Sequence, residues 1–259
     1  MNLAEKNKER WDKMKISAAK GPTFKAVADR LVYHKPRYEA VSKAMKEKGY
    51  DIPWEFIAVA HYREAGLDEN ANPRWDRYLG NGQPLSKKTT IVPKGRGPFV
   101  TWEEGAADAL VYAPPYAAKN KDWSIGGTLT KLEEYNGLGY ARMDKPSPYL
   151  WAGTDQYSKG KYTSDSKYDP DHVDQQLGVA GLLKFMNYGS PVAKTVPAAG
   201  AATGVVAAGA GAAAVLSNQT AWDYVNNHLL AFGLAGFGLA AFIALCIYMH
   251  NHKEELVVK

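Results

Sequence analysis

Cysteine, paired histidines and phosphate-binding glycine motifs are scarce or missing in this 259-residue chain, and each scarcity excludes a class of protein. The one cysteine, Cys246, has no partner for an intrachain disulfide, so the fold needs none. The histidines form no ligand pair at helical spacing within residues 1–189, so we expect no metal and no other cofactor. No glycine-rich loop stands between a strand and a helix, and no serine lies in a nucleophile elbow, which excludes phosphate-loop and serine-triad enzymes.

Charge is also scarce in one part of the chain, beyond residue 189. The first 189 residues hold 29 of the 32 Lys and Arg and 24 of the 27 Asp and Glu, and so the whole net charge of +5. A mildly basic surface suits an anionic partner, although the same charge is also explained as a margin of solubility. The polar N-terminus has no apolar run, so we expect no cleavable signal peptide.

A transmembrane helix is predicted at residues 228–250, followed by a short polar tail at 251–259. Residues 229–249 carry no charge, and 21 helical residues are about 30 Å long, the thickness of a bilayer core. Tyrosine and tryptophan flank the run as interfacial anchors do. Small residues recur every four positions within it, which would let two such helices pair: Gly236, Ala240 and Ala244.

The segment before this helix, residues 190–227, is rich in alanine and glycine and has two interpretations. The first is a flexible linker made of small residues that have little to bury. The second is a weakly apolar second membrane segment within 197–216, which would form a hairpin with the helix that follows. We favour the linker, because alanine and glycine contribute little to membrane insertion.

Residues 1–189 predict a mainly α fold with a small β-hairpin lobe. Apolar residues recur at helical spacing in two segments split at Pro36, and a further helix begins near Pro53 and stops at Gly66. Thr101 opens another helix with a capping box. The remaining predictions are a helix from Ser124 to Tyr135, a last helix opened by Asp169-Pro170, and a β lobe within residues 70–99.

Glu64 is the first candidate for catalysis. It lies at the end of a mostly apolar helix, on one face with Ile57, Ala60 and His61. Burial among such neighbours raises the pKa of a carboxylic acid, and a glycosidase needs a protonated acid for its leaving oxygen. The alternative is a structural ion pair between Glu64 and Arg63 or another cation.

Several blocks of sequence resemble a bacterial and phage group of lysozyme-family, endolysin-like proteins. The blocks are residues 52–66, which include His61-Tyr62-Arg63-Glu64-Ala65-Gly66, and residues 81–85, 98–104, 132–140, 147–153 and 159–162. They extend over about half of the chain. The group is similar to the wider superfamily of goose-type lysozymes and lytic transglycosylases. The resemblance therefore implies an α+β lysozyme-like fold for residues 1–189.

The resemblance also implies roles for particular residues. Glu64 matches the superfamily's catalytic acid, and Tyr135 with Asn136 matches its cleft-lining pair. The sequence departs from the group at Gln83, where the group usually has an aspartate. Other candidates for a second carboxylate are Asp68, Asp76, Glu103 and Glu104. Aromatic rings stack on sugars, and of those in the loops we expect Trp151 to bind substrate; the others are Trp75, Tyr78, Tyr149, Tyr157 and Tyr162.

The function implied is a bacteriolytic glycosidase that cuts the β-1,4 backbone of peptidoglycan, with peptidoglycan rather than nucleic acid as its partner. The alternatives are a lytic transglycosylase, a chitinase-like enzyme, or an inert wall-binding protein that keeps only the fold. Lys253 and Lys259 follow the predicted membrane helix, and few basic residues precede it. Positive-inside logic therefore predicts a single-pass protein of the inner membrane whose catalytic domain faces the periplasm.

Overall fold

The computed structural model describes residues 1–164 and 167–190, and all structural statements below concern these residues. All but the first residue of the predicted linker (190–227), together with the predicted transmembrane helix (228–250) and tail (251–259), lies outside them. Among the described residues, no helix combines the length and the apolar character that crossing a membrane requires.

The described part of the chain is mainly helical, as the sequence predicts, with one small antiparallel sheet. In chain order its α-helices are α1 (Leu3–Lys13), α2 (Gly21–Tyr33), α3 (Lys35–Glu47), α4 (Trp54–Ala65), α5 (Trp102–Tyr112), α6 (Ile125–Tyr135), α7 (Gly139–Arg142), α8 (Pro148–Trp151) and α9 (Val179–Phe185). A short 3-10 turn, Ala117–Lys119, lies between α5 and α6. Strands β1 (Lys161–Ser164) and β2 (Lys167–Asp169) pair Tyr162 with Tyr168.

Helix boundaries follow local sequence signals in several places. Pro36 lies in the first turn of α3, where its missing N–H costs nothing, and it separates α3 from α2. The predicted capping box of α5 is present, because Thr101 and Glu104 each accept from the other's backbone N–H. Ser124 caps α6 by accepting from the backbone N–H of Gly127. The split at Pro36, the capping box at Thr101 and the helix that follows Ser124 are thus confirmed as predicted.

Helix α4 lies at the centre of the core. Its residues 56–62 are all buried, and it packs against α3, α6 and α9. Pro53 is the residue just before the helix rather than its first residue, and Gly66 ends it with a φ of 73°. That left-handed conformation suits glycine, which has no Cβ to clash. Because α4 is enclosed on several sides, the residues at its C-terminal end are held in fixed positions.

The β lobe predicted within residues 70–99 is wrong in its location. These residues form irregular turns with isolated bridges, Leu67 to Pro73 and Arg77 to Pro84, and the described sheet lies at residues 161–169 instead. Proline cannot donate a ladder hydrogen bond, and it stands in both bridges, so no continuous ladder forms there.

The last helix is shorter than the sequence predicts. We expected it to open at Asp169-Pro170, but α9 begins only at Val179. Residues 174–177 are not helical because their polar groups bind other parts of the fold: Arg63 donates to the carbonyl oxygens of Gln176 and Leu177, and the backbone N–H of Leu177 donates to the hydroxyl of Tyr62.

Candidate active site

Glu64 lies in the last turn of α4, one residue before the helix ends. The residue is partly exposed. One carboxyl oxygen, Oε1, accepts a hydrogen bond of 3.0 Å from the hydroxyl of Tyr149 on α8. The other oxygen has no hydrogen-bond partner among the described residues and is not closed off from solvent. One oxygen is thus held by the protein, and the other is available to a substrate.

The environment of Glu64 favours its protonated form. Burial, which disfavours the charged carboxylate, raises the pKa of Glu64 to about 7. The Tyr149 hydroxyl and the positive charge of Arg63 both act in the opposite direction and limit the rise. A carboxylic acid with a pKa near neutrality keeps a large protonated fraction at pH 7, as a general acid requires.

Two tyrosines form the aromatic side of the Glu64 site. The rings of Tyr135 and Tyr149 stack nearly parallel, with centroids 6.5 Å apart and planes inclined by 10°. Burial and then the nearby Glu64 carboxylate raise the pKa of both hydroxyls above the usual value. Both tyrosines therefore stay neutral in the working pH range. The structure brings Tyr135 close to Glu64, as the resemblance implies, and adds Tyr149 as the direct partner.

The turn at residues 81–83 lies against the backbone of Glu64. Gly82 has a φ of 69°, and a Cβ added there would come within 2.8 Å of the Glu64 carbonyl oxygen. Only glycine fits this approach without a shift. The turn therefore fixes the following loop next to the end of α4.

Gln83 binds the loop that contains Thr90 and Ile91. It stands at the position where the lysozyme-family group that the sequence resembles usually has an aspartate. Its Oε1 accepts from the backbone N–H groups of Thr90 and Ile91 at 2.8 and 3.3 Å, and its Nε2 donates to the Thr90 hydroxyl. An amide both accepts and donates, whereas a carboxylate at this position could only accept. Gln83 thus shapes the loop beside Glu64 and supplies no second charge.

The other candidates for a second carboxylate have structural partners. Asp68 accepts from the backbone N–H groups of Asn70 and Asn72, within one turn. Glu103 forms a two-point ion pair with Arg37 at 2.6 and 3.1 Å. Glu104 is the return half of the α5 capping box. Asp76 is largely exposed and lies 3.1 Å from the Arg77 guanidinium. Each of these four carboxylates is accounted for by the fold.

Glu64 has no ion-pair partner among the described residues, so the alternative of a structural ion pair with Arg63 is not what the structure has. Arg63 turns instead toward Asp174, which it meets at 3.0 Å. The same guanidinium lies 4.8 Å from the ring centroid of Tyr149. Arg63 therefore contacts both Asp174 and Tyr149, the residue whose hydroxyl binds Glu64.

The remaining two predicted binding residues lie in different surroundings. Asn136 is exposed at the end of α6, and its amide donates to the hydroxyl of Ser147 at 3.2 Å. Trp151 is only 1% exposed and belongs to the core. A ring at that depth has no free face for a sugar, so the position of Trp151 gives no support to its predicted stacking role.

Sequence reasoning named Arg63 only as an alternative ion-pair partner of Glu64, named Tyr149 only as one loop aromatic among several, and missed Asp174. Arg63 and Asp174 are 111 residues apart in the chain, and no spacing rule connects them. Tyr149 had one usable signal, its place in a block that resembles the lysozyme-family group. Trp151, two residues further along, is buried like Tyr149, and what places Tyr149 in the site is its hydrogen bond to Glu64.

Removing the Tyr149 hydroxyl is expected to raise the pKa of Glu64. The hydroxyl donates to the carboxylate and stabilises its charged form, so Tyr149→Phe should shift the alkaline limb of the pH–activity profile upward by roughly one pH unit. The measurement is the pH dependence of kcat/KM on a soluble glycan substrate. Tyr188→Phe is the matched control, because its hydroxyl bonds to Thr128 and to the Trp123 carbonyl instead. A downward shift in Tyr149→Phe would contradict this arrangement.

No three or more His, Cys, Asp or Glu side chains in residues 1–164 and 167–190 lie close enough together to hold a metal ion. Comparison with protein-family models, with curated proteins and with solved structures finds no match to this chain.

Proposed function

We propose that this protein is a glycosidase that cleaves the β-1,4 glycan backbone of peptidoglycan, with Glu64 as its general acid. One observation carries the proposal: a desolvated glutamate with a pKa of about 7, at the end of the central helix, with one oxygen held by Tyr149 and the other free. Perturbed acids of this kind are concentrated at functional sites.

In the proposed reaction, Glu64 protonates the glycosidic oxygen as the bond to the sugar breaks. The proton leaves from the free oxygen, since the other accepts from Tyr149. The carboxylate that forms is stabilised by the same hydrogen bond and by the nearby charge of Arg63. General acid catalysis of this kind contributes about 10²–10⁴-fold to the rate.

We propose that the group that attacks the sugar is not a carboxylate of the protein. Gln83 is neutral, and Asp68, Glu103 and Glu104 are bound in turns, caps and ion pairs. A water molecule would give hydrolysis, and the substrate's own hydroxyl would give an anhydro product. The single acid leaves lytic transglycosylase activity as the second candidate function.

The substrate class comes from the sequence resemblance to lysozyme-family proteins, and the net charge of +5 suits an anionic wall polymer. We further propose that residues 229–249 anchor the protein in the inner membrane. Deleting them should move the protein from the membrane fraction to the soluble fraction of cells. Recovery of both forms in the same fraction would contradict the anchor.

The test of function is product analysis on purified Gram-negative peptidoglycan, with the full chain in non-ionic detergent. Soluble fragments with reducing ends would show hydrolysis, and fragments with anhydro ends would show transglycosylation. Chitin serves as the second polymer, and cleavage of chitin alone would move the substrate class to the chitinase-like alternative. Co-sedimentation with peptidoglycan without release of fragments would favour the inert wall-binding protein.

A further inference from the structure

Residues 174–177, here called the clasp segment, bind the C-terminal end of α4. Gln176 donates from its amide to the carbonyl oxygens of Tyr62 and Arg63 at 2.8 and 3.4 Å. The Arg63 guanidinium donates in return to the carbonyl oxygens of Gln176 and Leu177 at 3.1 and 3.3 Å. The last carbonyls of a helix have no partner within it, and the clasp segment supplies one to the Arg63 carbonyl. The Tyr62 carbonyl already accepts from the backbone N–H of Gly66, and Gln176 adds a second hydrogen bond to it. Glu64 follows Arg63 directly, so the clasp segment fixes the backbone that carries it.

Asp174, the first residue of the clasp segment, is a buried carboxylate between two cations. Its Oδ2 is 3.0 Å from Arg63 and its Oδ1 is 2.9 Å from Lys161 of β1. The side chains of Asp174 and Arg63 are 2% and 6% exposed. Despite its burial, the pKa of Asp174 is lowered from its usual value, with Arg63 as the leading favourable cause. Asp174 is therefore a negative charge next to Arg63 at neutral pH.

Arg63 is the charged group that acts on Glu64. The groups that face Glu64 are Arg63 on its own helix, Tyr149 on α8 and Tyr135 on α6, and the two tyrosines are neutral. An arginine beside a carboxylic acid favours loss of the proton, which works against an acid catalyst. A compensating negative charge behind the arginine weakens this effect.

We propose that Asp174 is a positioning residue of the Glu64 site, which holds the Arg63 guanidinium against Tyr149 and balances its charge so that Glu64 keeps its proton. The inference rests on the proposed role of Glu64 as an acid. Asp174 lies 110 positions from Glu64 in the chain and outside every block of the sequence resemblance. In this proposal it sets the pH range in which Glu64 acts as an acid.

Asp174→Asn tests the inference, because it removes the charge and keeps the shape. The expected result is a fall of roughly one pH unit in the pKa of Glu64, since Arg63 then acts without compensation. This pKa is read without any activity, from the pH dependence of the unfolding free-energy difference between each protein and its Glu64→Gln partner. The alkaline limb of kcat/KM should move down with it. Asp171→Asn is the control, because Asp171 is exposed and pairs with Lys159.

If Asp174→Asn does not fold because Arg63 has lost its partner, two further variants test the inference. Arg63→Met alone should raise the pKa of Glu64, because the neighbouring positive charge is gone. The double variant Arg63→Met/Asp174→Asn removes both charges together, and the pKa of Glu64 should return close to its value in the unaltered protein. If the double variant instead keeps the whole rise seen in Arg63→Met, Asp174 does not balance Arg63 and the inference is overturned.

The two proposals fail in different ways. If the pKa of Glu64 falls in Asp174→Asn while no protein releases glycan fragments, the proposed function is wrong and the charge balance stands. If fragments are released in a Glu64-dependent manner and the pKa of Glu64 is unchanged in folded Asp174→Asn, the charge balance alone is wrong.

Discussion

Glu64→Gln is expected to stabilise the fold at pH 8 by about 3 kcal/mol, and to leave its stability at pH 4 nearly unchanged. The pKa of Glu64 is about 7 in the folded protein against 4.5 for a free glutamate. A raised pKa in an acid means that the folded state resists ionisation, so its stability is full below pH 4.5 and falls as pH rises toward 7. Glutamine is neutral at every pH and has no such loss.

The measurement is urea unfolding of the full chain in non-ionic detergent, followed by tryptophan fluorescence at pH 4 and pH 8. Glu55→Gln is the matched control, because Glu55 is a partly buried glutamate whose pKa burial also raises, but it lies in the first turn of the same helix, at the opposite end from Glu64. A Glu64→Gln protein that is no more stable than the unaltered protein at pH 8 would contradict the desolvated acid. The ionised carboxylate of Glu64 lowers the free energy of unfolding, and such a loss of stability is common where function requires a buried ionisable group.

His61→Gln is expected to abolish the contribution of His61 to stability loss in acid, which protonation of this histidine produces in the unaltered protein. His61 is fully buried: its Nε2–H donates to the Arg74 carbonyl at 3.1 Å, and its Nδ1 accepts from the Tyr38 hydroxyl at 3.2 Å. Burial lowers the pKa of His61 from 6.5 to about 4. The unfolded state takes up the proton first, so stability falls as pH drops from 6.5 to 4.

The predicted change is about 3 kcal/mol between pH 7 and pH 4, in the difference between the unfolding free energies of the unaltered protein and His61→Gln. At pH 7 the unaltered protein should have a higher unfolding free energy than His61→Gln, because both ring nitrogens of His61 are hydrogen-bonded. At pH 4 most of that difference in unfolding free energy should be gone. A pH-independent difference would mean that His61 does not titrate as its surroundings predict.

Glu64 and His61 have opposite effects over the same range of pH. Between pH 4.5 and 6.5, the folded state gains stability on acidification through Glu64 and loses it through His61. The two contributions are of similar size, so they largely cancel in the unaltered protein. Glu64→Gln should therefore reveal a steeper acid destabilisation than the unaltered protein has. The two residues are three positions apart on α4, so one buried helix carries both.

The sequence predicted those helices whose boundaries depend on local chemistry. The capping box at Thr101, the cap at Ser124 and the glycine at position 66 act within a few residues, and the structure has helix ends at all three. Helix α1 was not predicted, because only Asn7 and Trp11 of it are buried and its sequence is otherwise that of a polar segment.

The errors arose where distant contacts decide the structure. The sequence predicts too early a start for the last helix, because residues 174–177 bind the end of α4 instead of forming a helix. Turn signals at residues 70–99 predict a hairpin, but these residues form only irregular turns with isolated bridges. The sequence favours Trp151 over Tyr149, because the hydrogen bond from Tyr149 to Glu64 joins two helices that are far apart in the chain. Glu64 could be chosen in advance, since its helix face and the sequence resemblance pointed to the same residue.

The most direct test of the central claim compares release of soluble fragments from purified peptidoglycan by the unaltered protein, Glu64→Gln and Glu133→Gln at pH 6 to 7. Glu133 is a buried glutamate of α6 whose carboxylate accepts from Asn7 of α1 instead of from Tyr149. Loss of at least about 100-fold in Glu64→Gln, with Glu133→Gln retaining activity, is the predicted result. Equal release by the unaltered protein and by folded Glu64→Gln would contradict the assignment of Glu64 as the acid.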